Sequence, residues 1–178
     1  VTLYHWDLPE ALQREGGWVN RATVDAFVEL AEAVSERLGD RARNWITHNE
    51  PWCVSTLGYA QGDQAPGKKN WQEALIVSHH LLLSHGRAVP VIRRNAPAAR
   101  VGITLNCTRV QPASPSEADQ VAARQFDGEL NRWFLDPIYF GQYPSDVVAY
   151  HEREGRLPTG MSFVHYPDLA QIHTPIDF

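Results

Sequence analysis

Short apolar runs alternate along this chain with segments of helical period, and that alternation limits the available folds more than any other feature. Val1–Trp6 reads as a first strand, rich in β-branched and aromatic residues. Asp7-Leu8-Pro9 and Gly16-Gly17-Trp18 punctuate the loop that follows. A helix is expected from about Thr23 to Leu38, because Val24, Phe27, Ala31, Val34 and Leu38 recur on one face. Gly39 is expected to stop it. Trp45–Asn49 is the second strand, and Gly58–Gly67 reads as a loop rich in Gly and Pro. A long helix is expected from Trp71 to Arg94, kinked at Pro90. Val101–Asn106 is the third strand. A further helix should run roughly from Glu117 to Leu135, and a short one from Pro144, well suited to a first turn, to about Glu152. Ile176–Phe178 is expected to open a fourth strand.

Strands that alternate with helices define the α/β class and a parallel sheet. A doubly wound sheet would satisfy the same order. The polar residues, however, gather at strand ends: His5, Asn49-Glu50 and Asn106. Successive strands that deliver polar groups to one rim are the mark of a (β/α)8, or TIM, barrel, which takes about 250 residues. The expectation is a single partial TIM-barrel domain over residues 1–178, supplying about half of a barrel. Both ends of the sequence read as the inside of a strand, so the chain is expected to be an internal piece of a longer protein.

With 43% hydrophobic residues, the 178 residues can bury a sizeable core. The formal net charge of −5 and the lack of a Lys/Arg run argue against nucleic acid or an anionic membrane surface as a partner. The longest apolar windows are broken by His, Ser or Arg, so no membrane span is expected. Cys53 and Cys107 do not make a disulfide framework, and a reduced, cytoplasmic setting is the expectation.

The chemistry concentrates in Trp45-Ile46-Thr47-His48-Asn49-Glu50-Pro51-Trp52. Glu50 could be a solvated loop residue. Its context favours a catalytic acid: Asn49 can donate to a hydroxyl, and Trp52 offers an apolar plate for a sugar ring. Pro51 biases Glu50 toward an extended backbone. His5 can hydrogen-bond hydroxyls in either direction, although a core histidine is the alternative. Asn106 is a weaker candidate, since Asn suits strand ends for turn reasons. His79, His80 and His85 share a helix without metal-ligand spacing, so neither a metal nor a cofactor is expected. Cys53 would be a nucleophile only with a base beside it.

Taken in order, Tyr4-His5-Trp6-Asp7-Leu8-Pro9, Gly16-Gly17-Trp18, Thr47-His48-Asn49-Glu50-Pro51-Trp52, Leu57-Gly58-Tyr59, Ala65-Pro66-Gly67, His79-His80-Leu81-Leu82, Gly102-Ile103-Thr104-Leu105-Asn106 and Asn131-Arg132-Trp133-Phe134-Leu135-Asp136-Pro137 resemble glycoside hydrolase family 1, the β-glucosidases and related β-glycosidases. The resemblance implies a (β/α)8 barrel that hydrolyses terminal β-D-glucosides or cello-oligosaccharides with retention of configuration. Glu50 would be the general acid/base. Asn49 would bind the sugar 2-hydroxyl and His5 a neighbouring hydroxyl, with Trp6 walling that subsite. Trp52 and Leu57 would line the aglycone entrance, and Asn106 would lie near the acid/base. His48 departs from the pattern, standing where the family usually has Phe or another apolar residue.

Retaining enzymes place two carboxyl groups about 5–5.5 Å apart, one protonating the leaving oxygen while the other attacks the anomeric carbon. The family's nucleophile lies in a Glu-Asn-Gly element on the seventh strand, and no Glu-Asn-Gly occurs here. The resemblance therefore places this chain between about the third and sixth strands, with the nucleophile outside it. An open half-barrel is expected to self-associate to cover its sheet edges. The alternative reading is a non-catalytic sugar-binding or scaffold fragment. Glucose, galactose, fucose and 6-phosphosugars remain open as the sugar.

Overall fold

A computed structural model describes residues 1–178. Its three strands, β1 (Thr2–Tyr4), β2 (Asn44–Asn49) and β3 (Arg100–Thr104), form one parallel sheet in sequential order. Helices lie between them: α1 (Glu10–Arg14) and α2 (Ala22–Leu38) after β1, then α3 (Trp71–Asn95) after β2. After β3 come α4 (Glu117–Asp127), α5 (Trp133–Phe140), α6 (Ser145–Arg153) and α7 (Asp168–Ile172). The expected alternation is present. The expected fourth strand exists as its first backbone bonds. The Asp177 N–H donates to the Val101 carbonyl at 2.9 Å, and the Ile103 N–H donates to the Phe178 carbonyl at 3.4 Å. Gly102 permits this approach, since a Cβ there would sit 2.1 Å from the Phe178 carbonyl oxygen.

Several element boundaries differ from the sequence expectation, each for a tertiary reason. β1 ends at Tyr4, because Trp6 turns into the left-handed region at φ 76°. Gly39 does not stop α2 by a left-handed turn, since its φ is −62°. It is small because a Cβ there would come within 2.6 Å of the Ser35 carbonyl oxygen and 2.9 Å of the Ala96 Cβ. Its smallness lets the ends of α2 and α3 touch. The expected loop from Gly58 is partly helical: a π-helical segment, Cys53–Gln61, carries the chain inward and buries Tyr59 and Ala60. Gly62, at φ 79°, ends it. The helix expected to stop near Leu135 runs on to Phe140 through a π-turn at Gly128–Arg132.

α3 organises the packing. Asn70 caps it, its side chain accepting from the backbone N–H groups of Gln72 at 3.0 Å and Glu73 at 3.3 Å, a contact worth about 1 kcal/mol. The helix passes Pro90 and continues to Asn95, with Ala88, Val89 and Ile92 fully buried around the proline. Tertiary contact outweighs the local penalty there. One core joins Trp45 and Val101 of the sheet to Phe27 of α2 and Val77, Leu81 and Val89 of α3. A second joins Leu75, Leu82 and Leu83 of α3 to Trp133, Phe134 and Ile138 of the later helices. Leu81, Leu82 and Leu83 face different neighbours yet are all fully buried, each contributing roughly 2 kcal/mol. No helix is long and apolar enough to cross a membrane.

Candidate active site

The carboxyl end of β2 is irregular, and the irregularity decides where its side chains go. Ile46 pairs with Gly102 but Asn49 pairs with Thr104, so β2 holds one more residue than β3 across the same interval. A bulge of this kind breaks the two-residue alternation and re-aims the side chains after it. Thr47 and His48 consequently both turn toward α3. The Thr47 hydroxyl lies 2.7 Å from His85 Nδ1, and His48 Nε2 lies 2.8 Å from the Ser84 hydroxyl. Asn49 and Glu50 are left partly exposed at the strand end.

Glu50 does not take the extended backbone expected of a residue before proline. Its φ is 45°, in the left-handed region. Two main-chain bonds hold it there. The Glu50 N–H donates to the Thr104 carbonyl of β3, and the Glu50 carbonyl accepts from the Cys53 N–H, both at 2.9 Å. A non-glycine residue in this region carries strain of order 1–3 kcal/mol, and such strain clusters at functional sites. The Glu50 carboxylate has one hydrogen-bond partner, the Cys53 thiol, with Sγ 3.4 Å from Oε2. Cys53 therefore does sit beside a potential base. Burial first, and then the Glu50 carboxylate, push its thiol up to about 12. It is a protonated donor, which argues against a nucleophilic role.

The other candidates meet Glu50's strand end to different degrees. The Trp6 indole N–H donates to the Asn49 carbonyl at 2.9 Å, tying the end of β1 to the end of β2. The His5 ring lies edge-on to Trp6 with centroids 5.1 Å apart and is exposed. Asn106 follows the end of β3, partly exposed, two residues beyond the carbonyl that binds Glu50. Trp52 and Leu57 are partly buried around the π-helical segment. These residues do not converge on one enclosed pocket. Trp6 walls a cavity of about 350 Å³ with Tyr4, Leu8, Trp18, Tyr59 and Pro66. Trp52 walls a separate cavity of about 180 Å³ with Trp71, Trp133, Tyr150, His151 and Arg156. In that second cavity the Arg156 guanidinium lies 4.3 Å from the Trp71 ring centroid and pairs with Glu129 at 3.0 Å. Its aromatic wall is therefore already occupied by a cation.

The helical histidines serve packing. His79 Nε2 lies 2.9 Å from Asp168, whose carboxylate also accepts from Arg21 and from the His165 N–H. Burial lowers the His79 pKa, so the ring is neutral and its Nε2–H donates to Asp168. The Tyr143 hydroxyl, 3.0 Å from Nδ1, then donates to the ring. Burial opposes the charge on Asp168, but the bonds from His79 and Arg21 outweigh it and hold the carboxyl well below its usual range. His80 bonds the Trp18 carbonyl at 2.8 Å. No three His, Cys, Asp or Glu side chains come together in a way that could hold a metal ion. His48 packs as a neutral ring: it stacks on Phe27 at 4.3 Å, and burial first, then His85, lower its pKa well below the ordinary value. Sequence reasoning missed Asp168 and the pairing of Cys53 with Glu50. Asp168 lies far in sequence from both partners and carries no motif. The three-residue spacing of Glu50 and Cys53 could have revealed the other pair, since a helical turn after Pro51 brings such positions together.

A parallel sheet with flanking helices, presenting a carboxylic acid and amide at the carboxyl end of a strand, is part of a (β/α)8 barrel. The sequence model for glycosyl hydrolase family 1 matches residues 1–178, and the chain belongs to that family. β-Glucosidase A of Acetivibrio thermocellus is 45% identical over 178 residues, covering all of this chain and 39% of that enzyme. The 1,4-β-D-glucan glucohydrolase of Thermotoga neapolitana is 42% identical over 180 residues, covering all of this chain and 41% of that protein. The crystal structure of the family 1 β-glucosidase from Exiguobacterium antarcticum superimposes with a TM-score of 0.94 at 46% identity, over 99% of this chain and 39% of that one. The chain thus spans about two fifths of the length of the relatives it matches.

Proposed function

We propose that these residues form the acid/base half of a retaining β-glucosidase site, with Glu50 as general acid and then general base. The observation that carries this reading is the placement of Glu50. It stands at the carboxyl end of a parallel strand, on a backbone held at φ 45° by bonds to β3 and to Cys53. Asn49 would meet the sugar 2-hydroxyl and His5 a neighbouring hydroxyl, with Trp6 beside them. Trp52 and Leu57 would face the aglycone, and Asn106 would lie near the acid. Relatives that bear the names β-glucosidase and 1,4-β-D-glucan glucohydrolase support a β-glucoside or cello-oligosaccharide as substrate.

In the first step Glu50 would give its proton to the glycosidic oxygen while a carboxylate on a strand outside residues 1–178 attacks the anomeric carbon. In the second, the ionised Glu50 would take a proton from water as that water attacks the glycosyl-enzyme ester. Residues 1–178 are then one partial barrel domain with two open sheet edges, at β1 and at the Ile176–Phe178 segment that pairs with β3. The isolated chain should self-associate through them, and a monomer by light scattering would count against this. Hydrolysis of a chromogenic β-glucoside by the purified chain tests the assignment of Glu50. Any turnover should vanish in Glu50→Gln, and turnover that survives the substitution overturns it.

A further inference from the structure

We propose that Cys53 is a positioning residue that holds the Glu50 carboxylate in one orientation through its S–H. The inference rests on the reading of Glu50 as acid/base and extends it to a residue with no assigned role. Glu50 and Cys53 close two rings at once. On the main chain, the Cys53 N–H donates to the Glu50 carbonyl at 2.9 Å. On the side chains, the Cys53 thiol donates to Glu50 Oε2 across 3.4 Å, within the range for sulfur donors. No lysine, arginine or histidine pairs with Glu50, so the thiol is the sole side-chain partner of this carboxylate. The thiol itself is anchored, because Cys53 is buried and opens the π-helical segment packed against α3.

The arrangement suits an acid that must change roles. A glutamate has three rotatable side-chain bonds, and fixing the carboxylate spares the transition state that entropy. A cationic partner would fix it too, but would hold it permanently ionised. A thiol is a weak, neutral donor. It orients the carboxylate without placing a positive charge beside it. The left-handed backbone aims the side chain and the thiol fixes its far end. Together they set the position of Oε1, the oxygen without a partner in this chain.

The test uses the 178-residue chain carrying Cys107→Ser, which leaves Cys53 as the one thiol. Two readouts are independent of turnover. The infrared S–H stretching band should lie at lower frequency than in the same chain with Glu50→Ala, with the isosteric Glu50→Gln in between. The side-chain scalar couplings of Glu50 should report a single rotamer, become averaged in Cys53→Ala, and return in Cys53→Ser, whose hydroxyl can donate in place of the thiol. An S–H band that ignores Glu50→Ala, or Glu50 couplings unchanged by Cys53→Ala, overturns the proposal. Failure of the acid/base reading would show elsewhere, as glucoside turnover that survives Glu50→Gln while both spectroscopic effects remain.

Discussion

Glu50 is asked to be both a reactive group and a structurally awkward one. A left-handed backbone costs an ordinary L-residue roughly 1–2 kcal/mol, and glycine almost nothing. Glu50→Gly should therefore raise the stability of the chain by about 1 kcal/mol in urea denaturation while removing the carboxylate. A less stable glycine variant would mean that the φ of 45° is relaxed, or that the side chain holds the strand end together. The identity of this residue was legible in the sequence, since an Asn-Glu-Pro at the end of an apolar run marks a presented acid. Its conformation was not. The rule that a residue before proline is extended is local, and here the bulge in β2 and the Thr104 carbonyl override it. Cys53 was weighed as a nucleophile because residue type suggests reactivity, whereas burial and a neighbouring anion make it a donor.

At the scale of elements, the order of strands and helices could be read from periodicity, because each strand and most helices carry their own apolar pattern. What could not be read is what ties the last segment to the first. Asp168 at the start of α7 binds Arg21 before α2 and His79 within α3, so three segments distant in sequence meet on one buried carboxylate. Asp168 is 1% exposed and His79 fully buried, so little solvent screens the pair. Removing the shared acceptor leaves the buried His79 N–H without a partner, which typically costs about 1–3 kcal/mol, while the Arg21 guanidinium, about a third exposed, can turn to water. Asp168→Ala should lose about that much in urea denaturation, and a loss below about 1 kcal/mol would mean that the network is incidental. Fold boundaries failed where glycine was read as punctuation. Gly39 and Gly58 are small for close packing, with Cβ positions 2.6 Å from the carbonyl oxygens of Ser35 and Ala65.

For the molecule as a whole, the histidines set the response to acid. Five of the eight, His48, His79, His80, His85 and His151, are buried with lowered pKa values, and for His80, His85 and His151 the value is about 4. The sign is unambiguous. The unfolded chain binds protons near pH 6.5 and the folded chain resists them, so stability is fully present above 6.5 and falls as pH drops toward 4. His80, His85 and His151 each cost about 2 kcal/mol by pH 5, and the chain should unfold at far lower urea at pH 5 than at pH 7.5. Equal midpoints at the two pH values would show that these rings are protonated in the fold. The barrel class was legible because three strand ends carry polar residues. The absence of one enclosed pocket around them was not, since pocket walls depend on strands beyond the ones read. The central claim, that Glu50 is the acid/base of a β-glucosidase barrel, is tested most directly in a complete barrel. Residues 1–178 can replace the matching stretch of the Acetivibrio thermocellus β-glucosidase A, which is 45% identical over that length. The rate of hydrolysis of an alkyl β-glucoside, whose leaving group needs a proton, is then measured with and without Glu50→Gln. A fall of about 10²–10⁴-fold in a folded chimera is predicted, and turnover within a few-fold of the parent chimera would contradict the account.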